Sequence, residues 1–151
     1  MVDVREDILA RLLELVTTLP NIRTAYRNNL RLTEQDLPSA VVFDGDEETD
    51  DANDKSMRPP HKPSIVQFTP EIVVVDQRNL VGSALTALRK DLIKLVLFDV
   101  ELNQQIVKTG RYGNGTIRYI GCQTDVGWMR SLHGALKANF LFRYPLKPDD
   151  L

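Results

Sequence analysis

The first apolar residues of the chain recur at intervals of three and four, which is the spacing of one face of an α-helix. They are Ile8, Leu9, Leu12, Leu13, Val16 and Leu19. Asp3 suits the N-cap position, Glu6 stands three residues later as in a capping box, and Pro20 stops the helix. The pattern therefore predicts an amphipathic helix over residues 3–19 that packs on another layer.

Two short strands are predicted after this helix. In residues 21–29 the side chains alternate between two faces, one of which carries Arg23 and Arg27. Such arginines are typical of a solvated basic edge, and a binding role is the alternative. A second strand, SAVVFDGD, follows Leu37-Pro38 and is expected to end at Asp44-Gly45, because that dipeptide favours a turn.

Residues 46–63 combine a run of acids with three prolines and several basic residues. Because so charged a segment buries too little apolar area to offset the entropy lost on ordering, we predict a long exposed loop here, either functional or disordered. The acids do not alternate as Asp-x-Asp-x-Asp-Gly, which excludes an EF-hand calcium loop. They are Asp46, Glu47, Glu48, Asp50, Asp51 and Asp54.

The densest apolar sequence lies between residues 64 and 101. It begins with a strand over 65–75 that Pro70 interrupts, so that either one long strand with a bulge or two short strands are predicted. A helix follows from Asn79, with an apolar stripe of Leu80, Ala84, Leu85, Leu88, Leu92, Leu95 and Val96. The basic residues Arg89, Lys90 and Lys94 lie opposite this stripe. Val81, Leu97 and Phe98 widen it beyond what a surface helix needs, which indicates a face that meets another subunit.

Two further strands are predicted after a glycine-containing loop, at 116–124 and 134–144. The second places Leu136, Ala138, Phe140, Phe142 and Tyr144 on one face. The predicted order is α-β-β-loop-β-α-β-β. The economical architecture is a single α+β domain over 1–151, with two helices packed on one face of a mostly antiparallel sheet of about four to five strands.

The overall charge changes this picture little. A net charge of -2 argues against a protein that binds nucleic acid by neutralising phosphates. No apolar run reaches the roughly 20 residues that a membrane span needs. Asp3, Glu6 and Asp7 stand where a signal peptide would carry basic residues, so we expect synthesis in the cytosol without export.

The residues that carry chemistry elsewhere are sparse. Cys122 is the only cysteine, and we expect it to be a small buried residue in a strand. Neither His61, in the proline-rich segment, nor His133, near Ser131, has the setting of a catalytic base. The paired acids of 46–54 lack the burial that separates the pKa values of an acid and a base. We therefore expect no enzymatic activity, no metal and no cofactor.

Several linked segments resemble the tail terminator proteins of long-tailed, non-contractile phages, also called tail completion or minor tail proteins. They are the opening DVREDILARLLELVTTLPNI, the Tyr26-Arg27-Asn28 strand, LPSAVVFDGDEE before the acidic segment, the long strand ending near Val75, the helix of ALTALRKDLIKLV, and GALKANFLFRYPL near the end. The resemblance spans almost the whole chain and rests on the order and size of these segments.

The resemblance implies a homohexameric ring in the virion, made in the host cytoplasm. Such a ring caps the head-proximal end of the tail tube, stops tube polymerisation and docks to the head-tail connector, with DNA passing through it and no specific nucleic-acid binding. It implies no catalytic residues. A ring needs two different patches that meet. The acids of 46–54 and the basic residues Arg23, Arg27, Arg89, Lys90 and Lys94 are the predicted opposites.

Two alternatives stay open at this point. One is another phage neck or head-completion protein, which has the same sequence character. The other is a cellular α+β module that binds RNA or protein. RNA recognition by a sheet needs aromatic side chains on its exposed face. Phe140, Phe142 and Tyr144 share their face with Leu136 and Ala138, which indicates core instead.

Overall fold

The computed structural model describes residues 3–20, 22–28, 36, 38–49, 64–76, 83–107, 115–126 and 134–146. Its three helices are α1 (Val4–Val16), α2 (Ser83–Leu97) and α3 (Val100–Val107). Its strands are β1 (Thr24–Arg27), β2 (Ser39–Thr49), β3 (Ser64–Asp76), β4 (Thr116–Val126) and β5 (Gly134–Leu146). The predicted α+β fold with a mostly antiparallel sheet is confirmed.

The five strands form one sheet in the order β1-β2-β3-β5-β4. The pairs β2–β3, β3–β5 and β5–β4 are antiparallel, whereas β1 pairs with β2 in parallel. The helices cover one face of the sheet through a buried apolar cluster to which all three helices contribute. A smaller apolar cluster, formed by Val41, Val73, Val75 and Ala135, lies on the opposite face. None of the helices in the described ranges is long and apolar enough to cross a membrane.

Helix α1 begins where the sequence predicts. The Asp3 carboxylate accepts the backbone N–H of Arg5 at 3.0 Å, which satisfies one of the unpaired donors of the first turn. Glu6 does not close a capping box, because its carboxylate accepts two hydrogen bonds from Arg27 instead. Glu6 therefore bonds to Arg27, which is distant in the sequence, in place of the nearby backbone N–H of Asp3.

The predicted end of β2 at Asp44-Gly45 is wrong, because β2 continues to Thr49. Gly45 has φ +69° and forms a bulge: Phe43 pairs with Glu71, but Asp46 pairs with Thr69. A Cβ at Gly45 would overlap the Thr69 carbonyl, so the backbone needs glycine here. Residues 46–49 of the predicted loop are therefore strand, and residues 50–63 lie outside the described part of the chain.

Pro70 does not divide β3. The register with β5 is the same on both sides of it, with Phe68 opposite Phe142 and Glu71 opposite Asn139. The extra residue lies in the neighbouring β2, at the level of Pro70. Strand β4 has its own register shift between Tyr119 and Gly121.

The predicted helix after β3 is α2, whereas α3 is a third helix beyond the two that the sequence predicts. Helix α2 ends at Leu97, and the Asp99 carboxylate accepts the backbone N–H of Leu102 at 2.9 Å as the cap of α3. After the break, Leu102 and Ile106 of α3 lie in the core, where both are buried. Phe98 is left outside, at the corner between the two helices.

Candidate interaction surfaces

The end of β2 presents carboxylates on both faces of the sheet. Asp46, Glu47 and Glu48 are all exposed. Glu47 pairs with Phe68, whose side chain lies in the core under the helices, so Glu47 is on the helix face. Asp46 and Glu48 are on the opposite face, because side chains alternate along a strand. Asp50, Asp51 and Asp54 lie outside the described residues.

This part of β2 is also the outer edge of the sheet. Strand β1 pairs with β2 only over Ser39–Val42. Strand β1 stops before Asn28, which has φ 56°. The backbone N–H of Asn28 donates to the Val42 carbonyl, and the side-chain oxygen of Asn28 accepts the backbone N–H of Asp44. Within the described part of the chain, residues 45–49 have β3 on one side and no strand on the other. We call residues 45–49 the acidic edge.

Arg27 is bonded inside its own chain. Its guanidinium donates to the Glu6 carboxylate at 2.7 and 2.9 Å and to the Asp44 carboxylate at 2.8 and 3.1 Å. These hydrogen bonds lower the pKa of Glu6 and of Asp44 and raise the pKa of Arg27. The three side chains join α1, β1 and β2. A role for Arg27 between chains stays a prediction, as does one for the exposed Arg23.

Arg89 is held against strand β4. Its guanidinium carbon lies 5.3 Å from the centre of the Tyr119 ring, and its Nε donates to the Tyr119 hydroxyl at 3.1 Å. That hydrogen bond raises the pKa of Arg89, and burial raises the pKa of Tyr119. A fixed cation therefore stands on the helix side of β4. Lys90 and Lys94 are exposed on α2.

The corner between α2 and α3 exposes two apolar side chains. Phe98 is 75% exposed and Val100 is 67% exposed. Of the other two predicted subunit contacts, Leu97 is half-buried and packs against the core, and Val81 lies outside the described residues. Together they form a small apolar patch that is open to solvent.

A charged depression of about 730 Å³ adjoins this corner. Arg11 reaches it from α1 and donates to both oxygens of Asp99, at 2.8 and 3.0 Å. The Asp99 side chain is only 9% exposed, and its hydrogen bonds with Arg11 lower its pKa. Glu14 and Glu101 complete the ion-pair network on Arg11. The sequence analysis did not predict the pair of Arg11 and Asp99. Asp99, just before Val100, is a helix-cap signal that could have identified the acidic partner.

Within the described ranges, no three His, Cys, Asp or Glu side chains come together as potential metal ligands. Cys122 is half-buried on β4, on the same face of the sheet as Tyr119. The contacts described above are ion pairs, hydrogen bonds and apolar surface.

The chain matches no family model and no protein with a curated description. Among solved structures, it is similar to a chain of a structure entitled "Virion of native gene transfer agent (GTA) particle". The TM-score is 0.49 at 14% sequence identity, over 94% of this chain and 92% of that chain. At these values no role is transferred from that virion to this protein.

Proposed function

We propose that this protein is a structural subunit of a phage virion, and specifically the tail terminator of a long-tailed, non-contractile phage. Copies made in the host cytoplasm form a ring, as the resemblance implies, which caps the head-proximal end of the tail tube and stops its growth. The ring presents a surface to the head-tail connector, and the DNA passes through it without sequence-specific contacts.

The observation that carries this proposal is the exposed apolar corner at Phe98 and Val100. Burying these two side chains against another protein removes apolar area from water, which favours association. The neighbouring depression adds an acidic rim through Asp7 and Glu101, which sets orientation more than affinity. We assign this corner to contact with a different tail protein, either the tube subunit or the connector.

The segments on which the family resemblance rests support the same proposal. The opening helix, the strand with an acidic end, the long strand before a helix and the final strand all occur in the structure in that order. The acids that the sequence places in a variable loop begin within β2, at Asp46. Asp46, Glu47 and Glu48 therefore stand on the backbone of a paired strand, which suits a contact surface.

Electron microscopy of tails assembled with and without this protein tests the proposal. We expect overlong tubes in its absence and tubes of uniform length when it is supplied. Tubes of normal length that fail to join heads would contradict the terminator role and assign the protein to the neck. Normal, joined tails without it would overturn a structural role altogether.

The burial of the β5 aromatic side chains argues against the RNA-binding alternative. Phe140 and Phe142 are fully buried and Tyr144 is 1% exposed, all within the core under the helices. These rings cannot stack on bases without unfolding the sheet. Binding of single-stranded RNA at low salt would be needed to restore that alternative.

A further inference from the structure

The sheet ends in two unlike edges. One is the acidic edge of β2, residues 45–49, and the other is β4, which pairs only with β5 among the described strands. An unpaired edge offers a row of N–H and C=O groups to which another strand can be added. Exposed Ile120, at the register shift of β4, adds an apolar side chain to the second edge.

The charges of the two edges are opposite on both faces of the sheet. On the face away from the helices, Asp46 and Glu48 of β2 correspond to Arg118 of β4, which is exposed and pairs with Leu141. On the helix face, Glu47 corresponds to Arg89, which the Tyr119 ring holds beside β4. Opposite charges on adjacent strands stabilise their pairing, and like charges destabilise it.

The strand directions also match. From β2 to β4 the sheet passes through three antiparallel pairs, so β4 runs opposite to β2. If a second copy extends the sheet with its helices on the same side, its β4 lies antiparallel to β2 of the first copy. The pairs β2–β3, β3–β5 and β5–β4 within one copy are antiparallel as well. Such a contact joins two different patches of one chain and can close into a ring.

We propose that a second copy of this chain adds its β4 to the acidic edge of β2, extending the sheet from subunit to subunit. Strand β1 and Asn28 occupy the edge as far as Asp44, so the incoming strand lies beyond them. The proposal rests on the proposed function only in that both require the copies to associate. It names the surfaces that join them, which the terminator role leaves open.

Disulfide cross-linking in the full-length chain tests this pairing directly. In a Cys122→Ser background, one population carries Glu48→Cys and another carries Arg118→Cys. Strand neighbours bring Cα atoms to within about 4.4–6.8 Å, the range that a disulfide spans. On mixing under mild oxidation we expect a covalent dimer that neither population forms alone. Thr116→Cys and Gln123→Cys, on the same face as Arg118, repeat the test at other registers.

The matched control replaces Arg118→Cys by Glu14→Cys, which is also exposed but lies on α1, outside both sheet edges. Mixtures with this control should give only background cross-linking.

A charge exchange gives a second readout: Asp46→Lys with Glu48→Lys should weaken association about tenfold or more. Adding Arg118→Glu to that variant should restore it. Both changes involve exposed side chains, so circular dichroism should stay that of the original protein.

The outcomes separate this inference from the terminator role. If rings form but none of the β4 positions cross-links to β2 above the Glu14 control, the pairing is wrong and the terminator role stands. A protein that stays monomeric at its highest soluble concentration, and does not cross-link on assembled tails, also overturns the pairing. If the edges cross-link but tubes keep normal length without the protein, the pairing holds and the terminator role fails.

Discussion

The two halves of β2 are one continuous strand with opposite environments. Residues 39–42 are buried, with apolar clusters on both faces of the sheet. Residues 45–49 are exposed, and the only neighbouring strand among the described residues is β3. The change occurs at the Gly45 bulge. A single strand thus supplies both a buried support and an exposed acidic edge, because the bulge separates the two halves without breaking the ladder.

The largest effect is expected where the two halves meet. Gly45→Val places a branched side chain at φ +69° and against the Thr69 carbonyl. We expect the free energy of unfolding to fall by about 3 kcal/mol or more. Gly121→Ala is the control, since a Cβ there meets no atom within 4 Å. Urea denaturation of both variants measures the difference; equal stabilities would contradict the role assigned to Gly45.

A matched pair of truncations compares the halves themselves. Val42→Ala removes two buried carbon atoms from the core, and we expect the free energy of unfolding to fall by about 2 kcal/mol. Glu47→Ala, in the exposed half, is expected to change stability by about 0.5 kcal/mol or less. The midpoints of urea unfolding give both values. A costly Glu47 truncation would show that the second half is part of the fold's support.

The Arg27 ion pairs connect the boundary of β2 to α1, and their contribution depends on pH. The pKa values of Glu6 and Asp44 are held below their ordinary values of 4.5 and 3.8. Depressed carboxyl pKa values stabilise the fold above the ordinary values, and this contribution disappears as the pH falls through the lowered ones. Asp99 contributes in the same direction through Arg11.

Arg27→Met keeps an unbranched apolar stem and removes the guanidinium that makes these pairs. We expect it to cost about 1 kcal/mol at neutral pH, because both carboxylates are partly exposed. The two proteins should converge in stability at acidic pH, since the Asp99 pair is common to both. Urea denaturation over a pH series measures this. A difference that stays constant with pH would mean that packing, not charge, is lost.

The smallest effect on stability is expected at the α2–α3 corner. Phe98→Asp changes a side chain that is 75% exposed, so stability should change by about 0.5 kcal/mol or less. The same variant is expected to reduce completion of tails in an assembly assay. Leu102→Asp is the contrasting control, because Leu102 is buried and its replacement should unfold the protein. Full tail assembly by Phe98→Asp would exclude this corner from the contact surface.

The sequence predicted the elements that have a strong local period. The apolar spacing of Ile8 to Val16 placed α1, and the alternation of Leu136 to Tyr144 placed β5 and its buried face. The errors came from interactions that no local pattern contains. The dipeptide Asp44-Gly45 predicts a turn when only its neighbours in sequence are considered. The pairing of β2 with β3, which accommodates a bulge at Gly45, is non-local, and no local pattern contains it.

The partners of the charged side chains could not be predicted for the same reason. Arg27 and Arg11 find their carboxylates across the fold, the latter 88 residues away at Asp99. A charge pattern identifies a charged side chain but not its partner. Phe98 was predicted from the excess width of an apolar stripe, and its exposure agrees with that, whereas Leu97 in the same stripe packs against the core.

Asp99 serves two partners at once, because it caps α3 through Leu102 and holds the Arg11 guanidinium. Serine, threonine or asparagine at this position would still cap a helix, but would leave Arg11 with only the more exposed carboxylates of Glu14 and Glu101. Few side chains meet both demands. Among related chains, positions 11 and 99 are therefore expected to vary together, so that their covariation marks the relatives that share the break between α2 and α3.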